Sequence, residues 1–283
     1  MKKFVKLGFA MMIAMAFAFV GCKHSTSEPE PEPETNPGIE GSCVFIRGRN
    51  ITIRPTLWAC DHEVTQAEYK TYCTYGSSSP TDYFGKGDDY PAYDVSWYDC
   101  LVYCNKRSID EGLTPCYTIN GKINPTEWGA VPTTMNETWD AVTCNFDANG
   151  YRLPTIAEWE YLARGGNLTN SGQTMYSGSN TIGEVAWYYS NSGNKTHEVK
   201  KKAPNALGLY DMSGNVEEWC WDWYGDITAD TPSVGPLSGE YRIRRGGCYS
   251  SDSNFCRLNS YFSMHPNSWA DSTGFRVVRS TQE

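Results

Sequence analysis

Beyond residue 38, the apolar runs of this chain are short, and glycine, proline, asparagine or serine interrupts them. The chain also carries 10 tryptophans, and aromatic residues make up 14% of it. Because long continuous patterns are rare, we expect aromatic side chains wedged between irregular segments and a few strands to close the core. The sequence therefore predicts an α+β fold with a high loop content, including a tight hairpin turn at Asn120–Gly121.

Three helices are predicted from one local signal, a hydroxyl residue followed three positions later by an acid. In such a capping box the hydroxyl and the acid each accept a hydrogen bond from the other residue's main chain. The signal occurs at Thr65–Glu68, Ser96–Asp99 and Thr155–Glu158. The alternating tryptophans of 219–223 predict a strand with one aromatic face.

The amino terminus has the pattern of a lipoprotein signal. Two lysines precede an apolar run over 7–20, and small Gly21 stands directly before Cys22. The run is too short to cross a bilayer comfortably, and a small residue before cysteine suits a lipoprotein signal peptidase. We expect residues 1–21 to be removed and Cys22 to be acylated, which would hold the chain at a membrane outside the cytoplasm. A plain secreted protein that is cleaved nearby is the alternative.

Residues 22–38 form a predicted tether, because proline alternates with glutamate and no large apolar residue is present. Such a composition cannot bury a core and favours extended polyproline II structure. The remaining residues, 39–283, show no second linker and are interpreted as one domain. A formal net charge of −9 argues against a nucleic-acid partner and against electrostatic membrane binding. We expect a monomer displayed on the cell surface, at the outer membrane, that contacts the membrane through its lipid anchor alone.

Cysteine content permits disulfides without defining them. The chain has 11 cysteines, so an even number remains after Cys22. In an exported chain an even number is compatible with disulfides, but the pairing does not follow from sequence. Most of these cysteines are expected to be structural.

Five motifs in a fixed order carry a resemblance to a known family. They are HEVTQAEY (62–69), YDVSWYDCLVYCNKRS (93–108), RLPTIAEWEYLARGG (152–166), GLYDMSGNVEEWCWDWY (208–224), and RIRRGGCY with STGFRVVRS (242–249 and 272–280). The chain resembles the formylglycine-generating enzyme and sulfatase-modifying factor family over 39–280. The resemblance implies a loop-rich variant of the C-type lectin fold. Within the third motif, Arg152 and Glu158 are expected to form a buried ion pair.

The fourth motif also suggests a metal site. Carboxylates and main-chain carbonyls around a glycine turn are the oxygen ligands that calcium prefers. The family resemblance implies calcium bound by the side chains of Asp211 and Glu218 and by the carbonyls of Gly214 and Val216. The ion would have a structural role, and we expect no catalytic cofactor.

The family's catalytic chemistry depends on two cysteines with four residues between them, which bind copper and oxidise a substrate cysteine. Cys256 matches the second of these, but Ser251 stands at the first position. A hydroxyl cannot replace a thiolate as a soft copper ligand. The sequence therefore predicts a non-catalytic protein, with a copper-dependent thiol oxidase or related modifying enzyme as the alternative.

The segment 249–273 has the composition of an adaptable binding surface. It contains no lysine, glutamate or glutamine, and it is rich in serine, asparagine, aspartate and aromatic residues. Rigid aromatics supply contact area, and short polar groups supply hydrogen bonds. An ordinary polar loop is the plainer interpretation.

A resemblance sharpens this interpretation. Some proteins with this fold are targets of diversity-generating retroelements, which randomise adenines so that asparagine codons never become lysine, glutamate or glutamine codons. The segment lies between an RGG start and a GFRVV end, like such variable regions. Gly246, Gly247, Cys256, Arg257, Gly274 and Phe275 would then form the fixed scaffold. The predicted ligand, a protein or a glycan, would contact Tyr249, Ser250, Ser251, Asp252, Asn254, Phe255, Ser260, Tyr261, Phe262, Ser263, His265, Asn267, Ser268 and Asp271.

Overall fold

The computed structural model describes residues 43–46, 49–52, 57–76, 78–167, 172–226 and 234–280. The predicted signal peptide (1–21), Cys22 and the predicted tether (22–38) lie outside the described residues. The longest described helix has 14 residues, and no described helix combines the length and apolar character needed to cross a bilayer.

The described helices are α1 (Gln66–Tyr72), α2 (Trp97–Asp110), α3 (Glu137–Asp140), α4 (Ile156–Ala163) and α5 (Ile182–Val185). Both bonds of the capping box are present at the starts of α1, α2 and α4, as predicted. At α2, for example, Asp99 N donates to Ser96 Oγ over 3.1 Å, and Ser96 N donates to Asp99 Oδ2 over 2.9 Å. The local pattern sufficed here because both partners lie within one helical turn.

The strands are short. They are β1 (Cys43–Ile46), β2 (Arg49–Thr52), β3 (Leu57–Ala59), β4 (Tyr117–Thr118), β5 (Thr143–Cys144), β6 (Tyr151–Arg152), β7 (Glu217–Trp223), β8 (Arg242–Arg245), β9 (Tyr261–Met264), β10 (Thr273–Gly274) and β11 (Val278–Ser280). The largest sheet has the order β10-β7-β8-β9, in which β10 is parallel to β7 and the other pairs are antiparallel. In a second sheet, β3-β11-β6, the last strand of the described chain pairs antiparallel with both β3 and β6. The α+β class and the high loop content are confirmed.

The predicted turn at Asn120–Gly121 is present, with φ of 48° and 73° at the two residues. Ile119 and Lys122 exchange both main-chain hydrogen bonds, at 3.0 and 2.9 Å. The hairpin does not continue, because β4 pairs with β5 and Asn124 instead caps a 3-10 turn, Pro125–Glu127.

Aromatic residues close the core, as expected. Trp97, Trp159 and Trp219 are fully buried. The guanidinium of Arg242 lies between the rings of Trp97 and Trp223, at 3.6 and 3.4 Å from their centroids. Stacking on aromatic faces lets a guanidinium remain in a core that carries few other polar partners.

The predicted Arg152–Glu158 pair is also buried. Two parallel bonds join the groups, Nη1 to Oε2 at 2.7 Å and Nη2 to Oε1 at 2.8 Å. Because the same Glu158 carboxylate accepts from Thr155 N at 2.9 Å, the ion pair fixes the start of α4 against β6.

Candidate ligand-binding surface

The 249–273 segment is preceded by two glycines in left-handed conformations, with φ of 94° at Gly246 and 72° at Gly247. A Cβ on Gly247 would lie 2.9 Å from both Cys256 Sγ and Phe255 O. Neither the backbone angle nor the close approach admits another residue without strain. The RGG sequence thus fixes how the chain enters the segment.

Buried Arg245, at the end of β8, holds the middle of the segment. Its guanidinium donates to the carbonyls of Ser260 at 2.6 Å and Leu258 at 2.7 Å. The remaining charge is balanced by Glu160 of α4, whose Oε2 lies 2.8 Å from Nη2. A scaffold side chain therefore binds main-chain atoms of the segment.

Further main-chain bonds fix both ends. Tyr249 N donates to Asn215 O at 2.8 Å, and the carbonyls of Pro266 and Ala270 accept from Trp97 N and Asp94 N at 3.0 Å each. In the sheet, β9 pairs with β8 from Tyr261 to Met264. These anchors are independent of side-chain identity in the segment, so different side chains can be presented on one backbone.

Most of the predicted contact residues reach solvent. Those that are exposed are Ser250, Asp252, Asn254, Phe255 and Tyr261. Those that are half-buried are Ser251, Ser260, Phe262, Ser263, His265, Asn267, Ser268 and Asp271. Several half-buried residues also bond within the protein. Ser251 Oγ accepts from Cys248 N at 3.0 Å, Asn267 Nδ2 donates to Thr133 O at 3.1 Å, and Ser260 Oγ donates to Asn254 O at 2.9 Å. His265 Nδ1 lies 3.3 Å from Glu240 O.

Two assignments need correction. Tyr249, predicted to be displayed, is only 3% exposed, and its ring packs 6.3 Å from that of Phe84. It belongs to the scaffold, because the chain still runs inward directly after Gly247. Arg257, predicted to be scaffold, points outward between the buried residues Cys256 and Leu258.

Aromatic side chains provide the largest contact area on this surface. Phe255 is 50% exposed, Tyr261 is 41% exposed, and Trp269 is 38% exposed. Tyr189, which was not predicted, also belongs to this surface: it is 63% exposed, and its N–H donates to Ser251 O at 3.0 Å. No local motif marks Tyr189, because its place depends on a contact far along the chain.

The thiol of Cys256 lies in a buried hydrophobic cluster. It is fully buried, and burial, reinforced by Cys248 and Glu217, raises its pKa to about 12. Cys248 and Cys256 are both free thiols, and Cys256 is a packing residue. The structure does place Cys248 Sγ 3.3 Å from Ser251 Oγ, beside the position of the family's first cysteine.

The predicted calcium ligands Asp211 and Glu218 lie in a cluster of buried acids. Glu218 binds Arg276 through both oxygens, with Nη2 at 2.9 Å from Oε1, and also accepts from Trp159 Nε1 at 2.7 Å. Buried Glu63 accepts from Val216 N at 3.1 Å, and burial, with Asp211 and Glu218 nearby, raises its pKa well above its ordinary value.

Asp211 and Glu218 therefore differ in how well they suit a cation. Asp211 accepts from Lys200 N through Oδ2 at 2.8 Å, while its buried Oδ1 has no hydrogen-bond partner among the described residues. Close to Asp211, the φ of 80° at Gly214 turns the chain against Trp187. An orphaned carboxylate oxygen and an excess of buried acids suit a hard cation. Glu218, in contrast, is committed to Arg276.

Comparisons with known proteins agree with this fold. The model of one protein family, described as "Sulfatase-modifying factor enzyme 1-like domain", matches residues 41–281. The chain is 38% identical over 253 residues to "Chaperone protein LppX" of Paenibacillus barcinonensis, and this match covers 82% of each chain. It is 35% identical over 165 residues to "Formylglycine-generating enzyme" of Streptomyces coelicolor, and this match covers 51% of each chain.

Among solved structures, the "Treponema denticola variable protein 1" is similar, with a TM-score of 0.72 and 33% sequence identity. The match covers 87% of this chain and 93% of that one. The formylglycine-generating-enzyme-like architecture expected from the motifs is confirmed.

Proposed function

Because the chain belongs to the family of sulfatase-modifying factor enzyme 1-like domains, we propose that it is a non-catalytic member that binds a ligand through the 249–273 segment. In this proposal acylated Cys22 and the tether display the domain outside the cytoplasm. The displayed side chains then determine which ligand is bound.

One observation carries the proposal. The segment is held by its main chain, through Arg245, Trp97, Asp94 and the β8–β9 pairing, while its side chains from Ser250 onward largely face solvent. A surface built in this way tolerates exchange of its contact residues, as a diversified receptor requires. The similarity to a variable protein supports the same function.

A protein is the favoured class of ligand. Exposed Phe255, Tyr261 and Trp269 beside short polar residues resemble the composition of protein-binding paratopes. The relative from Paenibacillus barcinonensis carries the name chaperone protein, which fits a binding role. A glycan is the second class expected from the sequence.

Sequencing codons 245–280 across the source population tests the proposal, together with a search of the neighbouring genome for a template copy. We expect substitutions at exposed positions such as 250, 252, 254 and 255, where the copy has adenine. Gly246, Gly247 and Cys256 should stay fixed. An invariant segment without a template copy would overturn diversification.

The alternative, a copper-dependent thiol oxidase, has one observation in its favour, the position of Cys248 beside Ser251. Oxygen uptake with Cu(I) and a cysteine-containing peptide distinguishes the two functions. We expect no turnover. Robust turnover that disappears in Cys256→Ala but persists in Cys60→Ala would establish the enzyme instead.

A further inference from the structure

Three consecutive side chains after β3 converge at a place that the proposed ligand-binding function does not use. The donor atoms of Cys60, Asp61 and His62 all lie within 4.8 Å of one another. His62 Nδ1 is 3.8 Å from Cys60 Sγ and 2.5 Å from Asp61 Oδ1. Thiol, carboxyl and imidazole groups are the ligands of zinc and related divalent ions.

The main chain of this cluster is fixed on both sides. Cys60 N donates to Val277 O at 3.0 Å, and Cys60 O accepts from Arg276 Nη1 at 2.8 Å. Asp61 O accepts from Tyr210 N at 2.8 Å. Little backbone entropy would therefore be lost when the three side chains close on an ion.

The imidazole of His62 is oriented by a carboxylate next to its second ring nitrogen. Its Nε2 lies 3.4 Å from Glu68 Oε2, which also accepts from Thr65 N at 2.8 Å in the capping box of α1. A ligating histidine usually donates its second ring N–H to such a carboxylate, and this fixes the lone pair of the other nitrogen toward the metal. Here that nitrogen is Nδ1, which faces Cys60 and Asp61.

Cys60 and Asp61 also line an open cavity of about 300 Å³, together with Arg107, Tyr151 and Arg279. An ion held by the three side chains could thus complete a four-coordinate shell with water from the cavity. Structural zinc sites are closed by protein ligands, whereas three protein ligands leave one open position.

We propose that Cys60, Asp61 and His62 form a binding site for zinc or a similar borderline divalent ion, through Sγ, Oδ1 and Nδ1. The two anionic ligands neutralise the charge of the ion. On binding, the thiol proton and the proton between His62 and Asp61 are released to solvent.

The geometry requires one adjustment. Tetrahedral zinc with ordinary bond lengths sets sulfur and nitrogen about 3.6 Å apart and nitrogen and oxygen about 3.4 Å apart. The sulfur–nitrogen distance of 3.8 Å is close to this, whereas the 2.5 Å between His62 Nδ1 and Asp61 Oδ1 must open. Lys200 stays compatible, because its Nζ binds the other oxygen, Oδ2, at 2.6 Å.

Cobalt titration of the purified full chain tests the site, with excess calcium present to occupy hard oxygen sites. We expect one equivalent of Co²⁺ to give a thiolate charge-transfer band and the visible bands of a four-coordinate ion, and Zn²⁺ to displace both. Cys60→Ser should lose the charge-transfer band. Cys144→Ser, which alters the other half-buried thiol of the described chain, should keep it.

Glu68→Gln should weaken Co²⁺ binding about 10- to 100-fold without removing a ligand, because it loosens the orientation of His62. If Cys60→Ser fails to fold, alkylation of the unmodified chain supplies the answer. Zn²⁺ should slow maleimide reaction at Cys60 and leave the rate at Cys144 unchanged. Absence of cobalt bands in the folded chain, or bands that persist in folded Cys60→Ser, would overturn the site.

Discussion

The 249–273 segment and the 208–218 stretch, a loop that ends in the first two residues of β7, lie next to each other but use their side chains differently. The segment is fixed by main-chain atoms that bind scaffold groups such as Arg245 and Trp97. The loop is held by main-chain bonds, such as Gly214 N to Gly246 O at 3.0 Å, and also by its own buried side chains. Asn215 Nδ2 donates to Glu63 Oε2 at 2.6 Å, and Glu218 binds Arg276.

This difference separates residues that can vary from residues that cannot. Replacing a loop side chain removes a partner from a buried group, whereas replacing an exposed side chain of the segment leaves its anchors intact. The two regions also meet, since Ser213 Oγ of the loop donates to Cys256 O of the segment at 3.0 Å. In the proposed function, a loop fixed by buried side chains supports a surface whose exposed side chains can change.

The largest effect is expected from Arg276→Ala, which strands Glu218 in the core. Removing one partner of a buried ion pair costs about 3–5 kcal/mol in the free energy of unfolding. Urea denaturation should show this loss, whereas Arg257→Ala, at an exposed arginine of the segment, should stay within about 0.5 kcal/mol. Equal losses of unfolding free energy in the two variants would show that the two regions do not differ in their tolerance of substitution.

The buried acid Asp222 of β7 is expected to make the stability of the scaffold depend on pH. Burial raises its pKa from 3.8 to about 7, although its Oδ2 accepts from Ile156 N at 2.7 Å. The folded state binds the proton more tightly, so this stabilisation is complete below about pH 4 and is lost as pH rises toward 7. The change is on the order of 4 kcal/mol.

Thermal denaturation between pH 4 and 8 measures this effect. Asp222→Asn should flatten the profile, because the amide keeps an acceptor for Ile156 N and cannot ionise. A profile that is unchanged by the substitution would assign the pH dependence to other groups.

Calcium should stabilise the loop if the orphaned oxygen of Asp211 receives it, as we propose. A ligand at about 100 times its dissociation constant adds about 2.7 kcal/mol to the free energy of unfolding. We expect calcium to raise the melting temperature, chelation to reverse this, and Asp211→Asn to abolish the response. A response that survives Asp211→Asn would place the ion elsewhere.

The glycine at the start of the segment offers a smaller and sharply controlled test. Gly247 and Gly121 have nearly equal φ, 72° and 73°, but only Gly247 has atoms within 4 Å of an added Cβ. Gly121→Ala should cost about 1 kcal/mol for its left-handed conformation alone. Gly247→Ala should cost about 1–3 kcal/mol more through overpacking against Cys256. Equal losses of stability in the two variants would show that the close approach to Cys256 does not restrict which residue can occupy position 247.

Interactions between residues that are close in the chain could be predicted from the sequence, whereas interactions between distant residues could not. The capping boxes at Thr65, Ser96 and Thr155 were predictable because each bond spans one turn. The Glu218–Arg276 pair joins residues that are far apart in the chain and that the β7–β10 pairing brings together. No local sequence pattern therefore predicts it. The composition of 249–273 identified the surface, but it could not show that Tyr249 turns inward.

The smallest change in stability should accompany the largest change in binding. Phe255→Ser removes a half-exposed ring whose main chain stays fixed, so we expect a loss of about 0.5 kcal/mol or less. Leu258→Ala, three residues later at a side chain that is 4% exposed, should cost about 2–4 kcal/mol. Urea denaturation measures both. Once a protein ligand has been selected, Phe255→Ser should weaken its binding at least tenfold, since exposed aromatics dominate such interfaces. If Phe255→Ser destabilised the fold as much as Leu258→Ala, the segment would be part of the core, and its side chains could not vary independently of the scaffold.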